Sequence, residues 1–446
     1  MTSRGNRGGP APWVAALALP AAAGAYGSLD SILNIAFPDL TDDLGIEVAA
    51  LQWVVISFVL SYSAVLVVAG RLADRIGHTR VVQWGAAASA VALAWCAASP
   101  SFPVLLIGRV AQGVTTAAVM AAAPALVTLS TTGDRRGRAL GLFQMSAAVG
   151  LAVGPALGGP IVALVGWRGV FWVRVPVAIG LAVAARRTIR RATTVPSPAP
   201  RPQAGLMAAV RAAGTSFGVA NILTALANGA MFAAWLLVPQ YLVDELGASA
   251  VLGGVVLTTL PAATAVVAPA AGRLSDRFGP APVATAGLAA EVIGLWAMSR
   301  LDLDSGLGWV ALTLAVVGVG LGLFSVPNMS FVMGSLPADM QGAAGGISLM
   351  MRTAGIVAGA AMAGALFDAR EASDGFAAAF GFTFACSAAI CLVAFALSLT
   401  RMTRRRPPAP DGSVPQQPPP HRPGAARGTQ RRPHPRRAVP PGASAG

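Results

Sequence analysis

Twelve apolar runs, each long enough to cross a lipid bilayer, constrain this chain more than anything else in it. A spanning helix takes about twenty apolar residues. Such runs occur at approximately 14–38, 50–71, 80–98, 103–127, 137–163 and 169–185, and again at 216–241, 250–272, 282–300, 308–331, 341–366 and 375–399. The bilayer core offers no water, so each backbone N–H and C=O must find its partner inside the run, which predicts helices throughout. Composition agrees: 55% of the 446 residues are hydrophobic and 11% charged, against roughly a quarter charged in soluble domains. The expected fold is an all-α membrane protein. Arg4 and Arg7 ahead of an apolar stretch, with small residues from Ala21 to Ala25, imitate a signal peptide. Apolar character resumes from Leu29 to Phe37, however, which predicts an uncleaved first span.

A polar stretch divides the runs six and six. Residues 186–215 hold Arg186, Arg187, Arg190 and Arg191, then prolines at every second position from Pro196 to Pro202, too many for a helix. The expected organisation is one six-helix bundle at 1–185, a linker at 186–215 and a second bundle at 216–400. An Arg- and Pro-rich tail at 401–446 cannot bury a core and is expected to be disordered. Every Lys-or-Arg position is Arg, and +9 of the net charge of +14 falls from Arg401 onward. The absence of Lys and the abundance of Ala, Gly and Pro suggest a GC-rich genome, and the bacterial inner membrane is the expected setting. Arg75, Arg80, Arg135, Arg136, Arg138 and Arg277 join the linker and tail on one side of the runs. Asp39, Asp42, Asp43, Glu47, Asp244, Glu245, Asp302 and Asp304 fall on the other, with Arg168, Arg300 and Arg370 scattered singly among them. The positive-inside bias then puts both termini in the cytoplasm. Basic charge beside apolar spans points to the lipid bilayer as its partner, not nucleic acid. Cys96, Cys386 and Cys391 lie in apolar runs without metal-ligand spacing and read as packing residues.

An internal repeat supports the division. Gly70-Arg71-Leu72-Ala73-Asp74-Arg75-Ile76-Gly77 recurs 202 residues later as Gly272-Arg273-Leu274-Ser275-Asp276-Arg277-Phe278-Gly279. Each copy ends the second span of its half. Two pseudo-symmetric six-helix bundles with a cavity between them are a transporter architecture.

The octapeptide resembles the signature loop of the major facilitator superfamily, departing from it at His78 and Thr79. The resemblance implies a conformational latch at Gly70, Asp74, Arg75 and Gly77, with Asp276 in the second copy. In the fifth span, Gly141, Gly150, Gly154, Pro155, Gly158 and Gly159 resemble the antiporter motif of the drug:proton exporters in that superfamily. Small residues at these spacings allow close helix contact, and proline bends the helix. In the fourth span, Leu105, Arg109, Gln112 and Gly113 resemble a second exporter motif, with Thr115 where Gly is usual. An Arg inside the bilayer costs at least ~2.5–3.5 kcal/mol and is normally paired or functional. In the first span, Asp30 to Pro38 resembles the exporters' acidic motif, with three residues between Asp30 and Asn34 where the family has four. Asp30 and Arg109 fall at similar depths, about 12 and 9 Å from the same face at ~1.5 Å per residue. Their opposite charges make an ion pair and a proton switch the functional reading; a purely structural pair is the bland one.

Glu291 is a further coupling candidate, in a span peripheral in the family. Asn34, Gln112, Asn228, Trp235, Asn328 and Arg352 are candidates for the substrate cavity, although buried Asn more often bonds between helices. His78, His421 and His434 form no catalytic set, and no phosphate loop appears. The expectation is therefore no enzyme, no cofactor and no metal, with protons as the energy source. The function implied is a proton-coupled exporter of small, lipophilic molecules such as drugs, antibiotics or secondary metabolites, working as a monomer, with cations favoured by acidic Asp30. A proton-coupled importer shares the architecture, and a non-transporting membrane sensor is the remaining alternative.

Overall fold

The computed structural model describes residues 17–46, 50–131, 133–192, 206–302 and 305–403. Glu47, Asp304, linker residues 193–205 and tail residues 404–446 lie outside these, as do the side chains of Asn34 and Pro155. The described residues are helical throughout, with no strand among them.

The first half begins with α1 (Ala18–Ser28), which tightens into a 3-10 stretch at Leu29–Ala36 and resumes as α2 (Phe37–Leu44). Five spans follow: α3 (Leu51–Ile76), α4 (His78–Ala97), α5 (Phe102–Leu129), α6 (Arg136–Val165), and the short α7 (Gly169–Trp172) leading into α8 (Arg174–Ala192). The second half holds α9 (Leu206–Gln240), α10 (Ala250–Phe278), α11 (Pro280–Met298), α12 (Leu307–Ser335), α13 (Gln341–Asp374) and α14 (Phe376–Thr403). These make twelve helical stretches among the described residues. Nine are long and apolar enough to cross a membrane, and α6 makes a tenth if its parts, Arg136–Gly154 and Leu157–Val165, bent by 41°, count as one span. The first stretch and α4 fall short of that composition.

Three boundaries differ from those the sequence predicts. The first span is not one helix ending at Pro38. Proline needs no N–H partner in a first helical turn, so Pro38 opens α2, which runs to a left-handed Gly45 (φ 60). Helix also takes up both ends of the 186–215 stretch: α8 continues through the arginines to Ala192, and α9 starts at Leu206 and breaks at Gly214 (φ 70). The prolines that argued against helix lie in the undescribed part between. Finally, α14 continues three residues past Thr400, and Arg401, assigned to the tail, is helical and 7% exposed.

Each half buries its own apolar core. Outward faces stay apolar as well: Leu60 is 67% and Val266 78% exposed. A soluble domain rarely leaves so much large apolar surface open; lipid chains satisfy it here.

The halves meet closely at the end that carries the octapeptides. Gly70 on α3 faces Gly342 on α13, and a Cβ built on Gly70 would lie 2.1 Å from the Gly342 carbonyl oxygen. Gly272 on α10 faces Gly137 on α6 in the same way, at 2.3 Å. Gly346 sits on the Leu66 carbonyl and Gly141 on that of Ala268, extending each contact by a turn. Only residues without side chains permit two backbones this near.

Candidate functional site

Three elements of the first half deliver polar groups to one buried point. α5 brings Arg109 and Gln112, one turn apart. The 3-10 stretch brings Asp30, and the start of α8 brings Arg174. The Asp30 carboxylate accepts from Arg109 Nη1 and Nη2 at 2.9 Å each, a two-pronged pair. It also accepts from Arg174 Nη1 at 2.7 Å and Gln112 Nε2 at 3.1 Å. Arg109 donates further to the Val54 carbonyl at 2.9 Å and to Gln112 Oε1 at 2.7 Å. Its guanidinium lies 4.4 Å from the centre of the Phe58 ring. Both arginines are 1% exposed, so each depends on its pairing with Asp30; Arg109 uses Nε, Nη1 and Nη2, whereas Nε and Nη2 of Arg174 have no hydrogen-bond partner. Counting formal charges, the cluster holds one carboxylate and two guanidiniums, a net of +1.

The geometry explains how the shortened acidic motif still reaches Arg109. An α-helix turns 100° per residue, but a 3-10 helix turns 120°. The tightened stretch around Asp30 and Asn34 thus changes the phase that a regular helix would impose. Arg174 is not among the residues the sequence singles out. The signal that marks Arg109 applies to it equally: a lone Arg within an apolar run, here Val170 to Val177.

Two glycines of the fifth-span motif pack on the segment that leads to this cluster. Gly150 of α6 packs on the backbone of Ala25 in α1, where an added Cβ would lie 2.4 Å from the carbonyl oxygen. Gly154 packs on Ser31, next to Asp30, with 2.2 Å from Cβ to Oγ. Ser31 returns a hydrogen bond to the Leu151 carbonyl at 3.1 Å. The motif therefore seats the segment that carries the acid. Gly158 is buried, and Gly159 faces open space.

Other candidates disperse. Glu291 on α11 is fully buried in the second half, facing Gly320 of α12, and neither carboxylate oxygen has a hydrogen-bond partner; the fold does not bring it to Asp30. Asn328 donates to the Ala220 carbonyl and to Thr224 Oγ1, both at 2.9 Å, and accepts from Arg401 at 2.8 Å. Asn228 donates to its own helix, to the Thr224 carbonyl at 2.8 Å. Both bond between or within helices, and Gln112 is committed to the Asp30 cluster. Trp235 and Arg352 remain half-buried.

The octapeptide acids span the halves. Asp74 accepts the backbone N–H groups of Gly342 (2.7 Å) and Ala343 (2.9 Å) at the start of α13. Asp276 accepts those of Gly137 (2.7 Å) and Arg138 (2.9 Å) at the start of α6. A helix N-terminus has unsatisfied N–H groups and positive potential, and neither α6 nor α13 has a capping side chain of its own. Each half thus caps a helix of the other. Thr128 adds a third tie, to Gln341 Oε1 at 3.1 Å. Arg75 and Gly77 lie exposed at the end of α3. Asp74 is the more sequestered acid, with a 3% exposed side chain and His78 Nε2 at 3.2 Å, whereas Asp276 is exposed. Replacing Asp74 by Asn is therefore expected to slow transport roughly tenfold or more, as loss of a charge-assisted bond implies, and Asp276→Asn less. Initial rates in membrane vesicles check the order; equal losses would mean equal latches.

The description of the Major Facilitator Superfamily matches residues 21–360 and, overlapping them, 219–437. The chain belongs to that superfamily of membrane transporters, and is not an enzyme. It is 28% identical over 418 residues to a tetracenomycin C resistance and export protein of Streptomyces glaucescens, covering 82% of this chain and 77% of that one. It is 26% identical over 383 residues to the riboflavin transporter RibZ of Clostridioides difficile, covering 76% and 84%. A solved E. coli fucose:proton symporter shares the fold at a TM-score of 0.69 and 16% identity, covering 88% of this chain and 99% of that one.

Proposed function

We propose that this transporter exports small lipophilic molecules in exchange for protons, with Asp30 as the coupling acid. The observation that carries the reading is a lone carboxylate held inside the bilayer by two arginines from separate helices. Paired with them, Asp30 is favoured as the anion. Drawn away from them into apolar surroundings, it is favoured as the neutral acid. A helix movement that opens and re-forms the cluster therefore takes up and releases a proton, and the halves move through such a cycle when the octapeptide latches open and close. The fifth-span glycines support export through their resemblance to the drug:proton antiporter motif. The named resistance and export activity of the Streptomyces relative points the same way; the riboflavin transporter leaves the solute open.

The octapeptide face is cytoplasmic in this reading, as are both termini, so the structure corresponds to a state closed to the cytoplasm. A reporter active only outside the membrane, fused within 193–205, should give no signal; a strong signal would reverse the orientation. Direction of coupling is tested in vesicles that carry an entrapped pH dye. A transported compound moving down its own gradient should drive protons the opposite way. Protons moving with the compound would make the protein a symporter and overturn the proposal.

A further inference from the structure

We propose that the transported molecules are amphipathic organic anions, and that Arg352 on α13, the helix packed antiparallel on α3, binds their acidic group between the two halves. The inference rests on the transport reading above and names its substrate class.

The placement follows from how α3 and α13 pack. They run antiparallel, with Gly342 on Gly70 and Gly346 on Leu66. Arg352 is the next charged residue along α13, eleven residues from its start, or about 16 Å from the octapeptide face. It lies just beyond the glycine contact that closes that face. Tyr62 is one turn beyond Leu66 on α3 and within electrostatic reach of Arg352. Both are half-buried. Arg352 forms no ion pair among the described residues.

An arginine so deep in the bilayer normally has an acidic partner or a functional one. The charges nearby offer no acid. Among the described residues, the carboxylates in the middle of the spans are Asp30 and Glu291. Asp30 already serves two arginines and Gln112, leaving a surplus positive charge. Glu291 is enclosed within the second half. Asp30 therefore has nothing spare for a cationic solute, contrary to the preference its charge suggests from sequence. A row of side chains leads from the cluster toward Arg352: Arg109 lies over Phe58, Phe58 stacks on Tyr62 with centroids 5.8 Å apart, and Tyr62 is within electrostatic reach of Arg352. A positive group beside an aromatic side chain suits a planar or amphipathic acid, the ring beside half-buried Tyr62 and the carboxylate or phenolate on the guanidinium.

The test uses cells with and without the protein, loaded with dyes of one ring system and different charge, such as fluorescein and rhodamine 6G, within a wider panel of anionic, neutral and cationic aromatic compounds. The expected result is extrusion of anions. Extrusion of cations or neutral compounds without anions would overturn the inference and leave the exporter standing. Extrusion of none would overturn both. Arg352→Gln should raise the half-saturating concentration of an extruded anion roughly tenfold or more, while Arg352→Lys retains most of the affinity. R352E should lose anions and admit cations. If all three variants lower transport equally for every charge class, Arg352 is structural and the inference fails.

Discussion

Asp30→Asn is expected to abolish the ability of a pH difference to drive solute uphill, while downhill exchange continues. Asn keeps the shape of the side chain but cannot titrate, so no proton is carried. It also leaves Arg109 and Arg174 buried without an anion. Breaking a buried ion pair typically costs about 3–5 kcal/mol, so the purified variant should also melt earlier. Two companions separate coupling from folding. Asp30→Glu restores a titratable acid and should recover part of the driven transport. Arg174→Gln leaves one arginine on one carboxylate and should preserve coupling while moving the pH at which it operates. Uphill transport by Asp30→Asn in vesicles with an imposed pH difference would remove Asp30 from the mechanism, and Glu291 would be the next acid to examine.

The second large effect is expected at the glycine contact between α3 and α13. A Cβ on Gly70 would meet the Gly342 carbonyl oxygen at 2.1 Å and its carbon at 2.6 Å. These are backbone atoms, which cannot rotate aside, so Gly70→Val must push the helices apart. Separation also pulls Asp74 from the Gly342 and Ala343 N–H groups. The closed arrangement of this face should lose at least a tenfold share of its population, about 1.4 kcal/mol. Spin labels at Leu72 and Asp339, both exposed on this face, should report a longer distance in the variant. An unchanged distance with normal transport would mean that the contact is not what closes the face.

Much of this was legible in the residues themselves. Apolar runs marked the twelve helical stretches among the described residues, nine of which, or ten with bent α6, are long and apolar enough to cross a bilayer. The duplicated octapeptide pointed to two related halves, and Asp30 and Arg109 stood out because charge is rare in such runs. What escaped were features that depend on three-dimensional phase. The 3-10 tightening at Leu29–Ala36 has no strong sequence mark, so the shortened spacing from Asp30 to Asn34 read as a departure from the family rather than as part of the local helix geometry. Arg174 carries the same mark as Arg109, a lone Arg in an apolar run, but no motif spacing drew attention to it. The polar asparagines needed the third dimension as well: Asn328 bonds through both ends of its amide, to Ala220 and Thr224 and to Arg401, whereas Asn228 bonds through Nδ2 to the Thr224 carbonyl of its own helix.

The span α6 touches both parts of the proposed mechanism, and this restricts how its length can vary. Its N-terminus receives Asp276 from the second half at Gly137 and Arg138, and seventeen residues on from Gly137, at Gly154, it seats the segment bearing Asp30. That separation is roughly 26 Å along the axis. Inserting or deleting a single residue between these points would rotate one contact by about 100° relative to the other, so the helix behaves as a shaft with two keyed ends. Substitutions along its lipid-facing side, at Val149, Val153 and Leu157, leave the keys aligned. The length of α6 between Gly137 and Gly154 is therefore expected to tolerate less change than the exposed side chains along it.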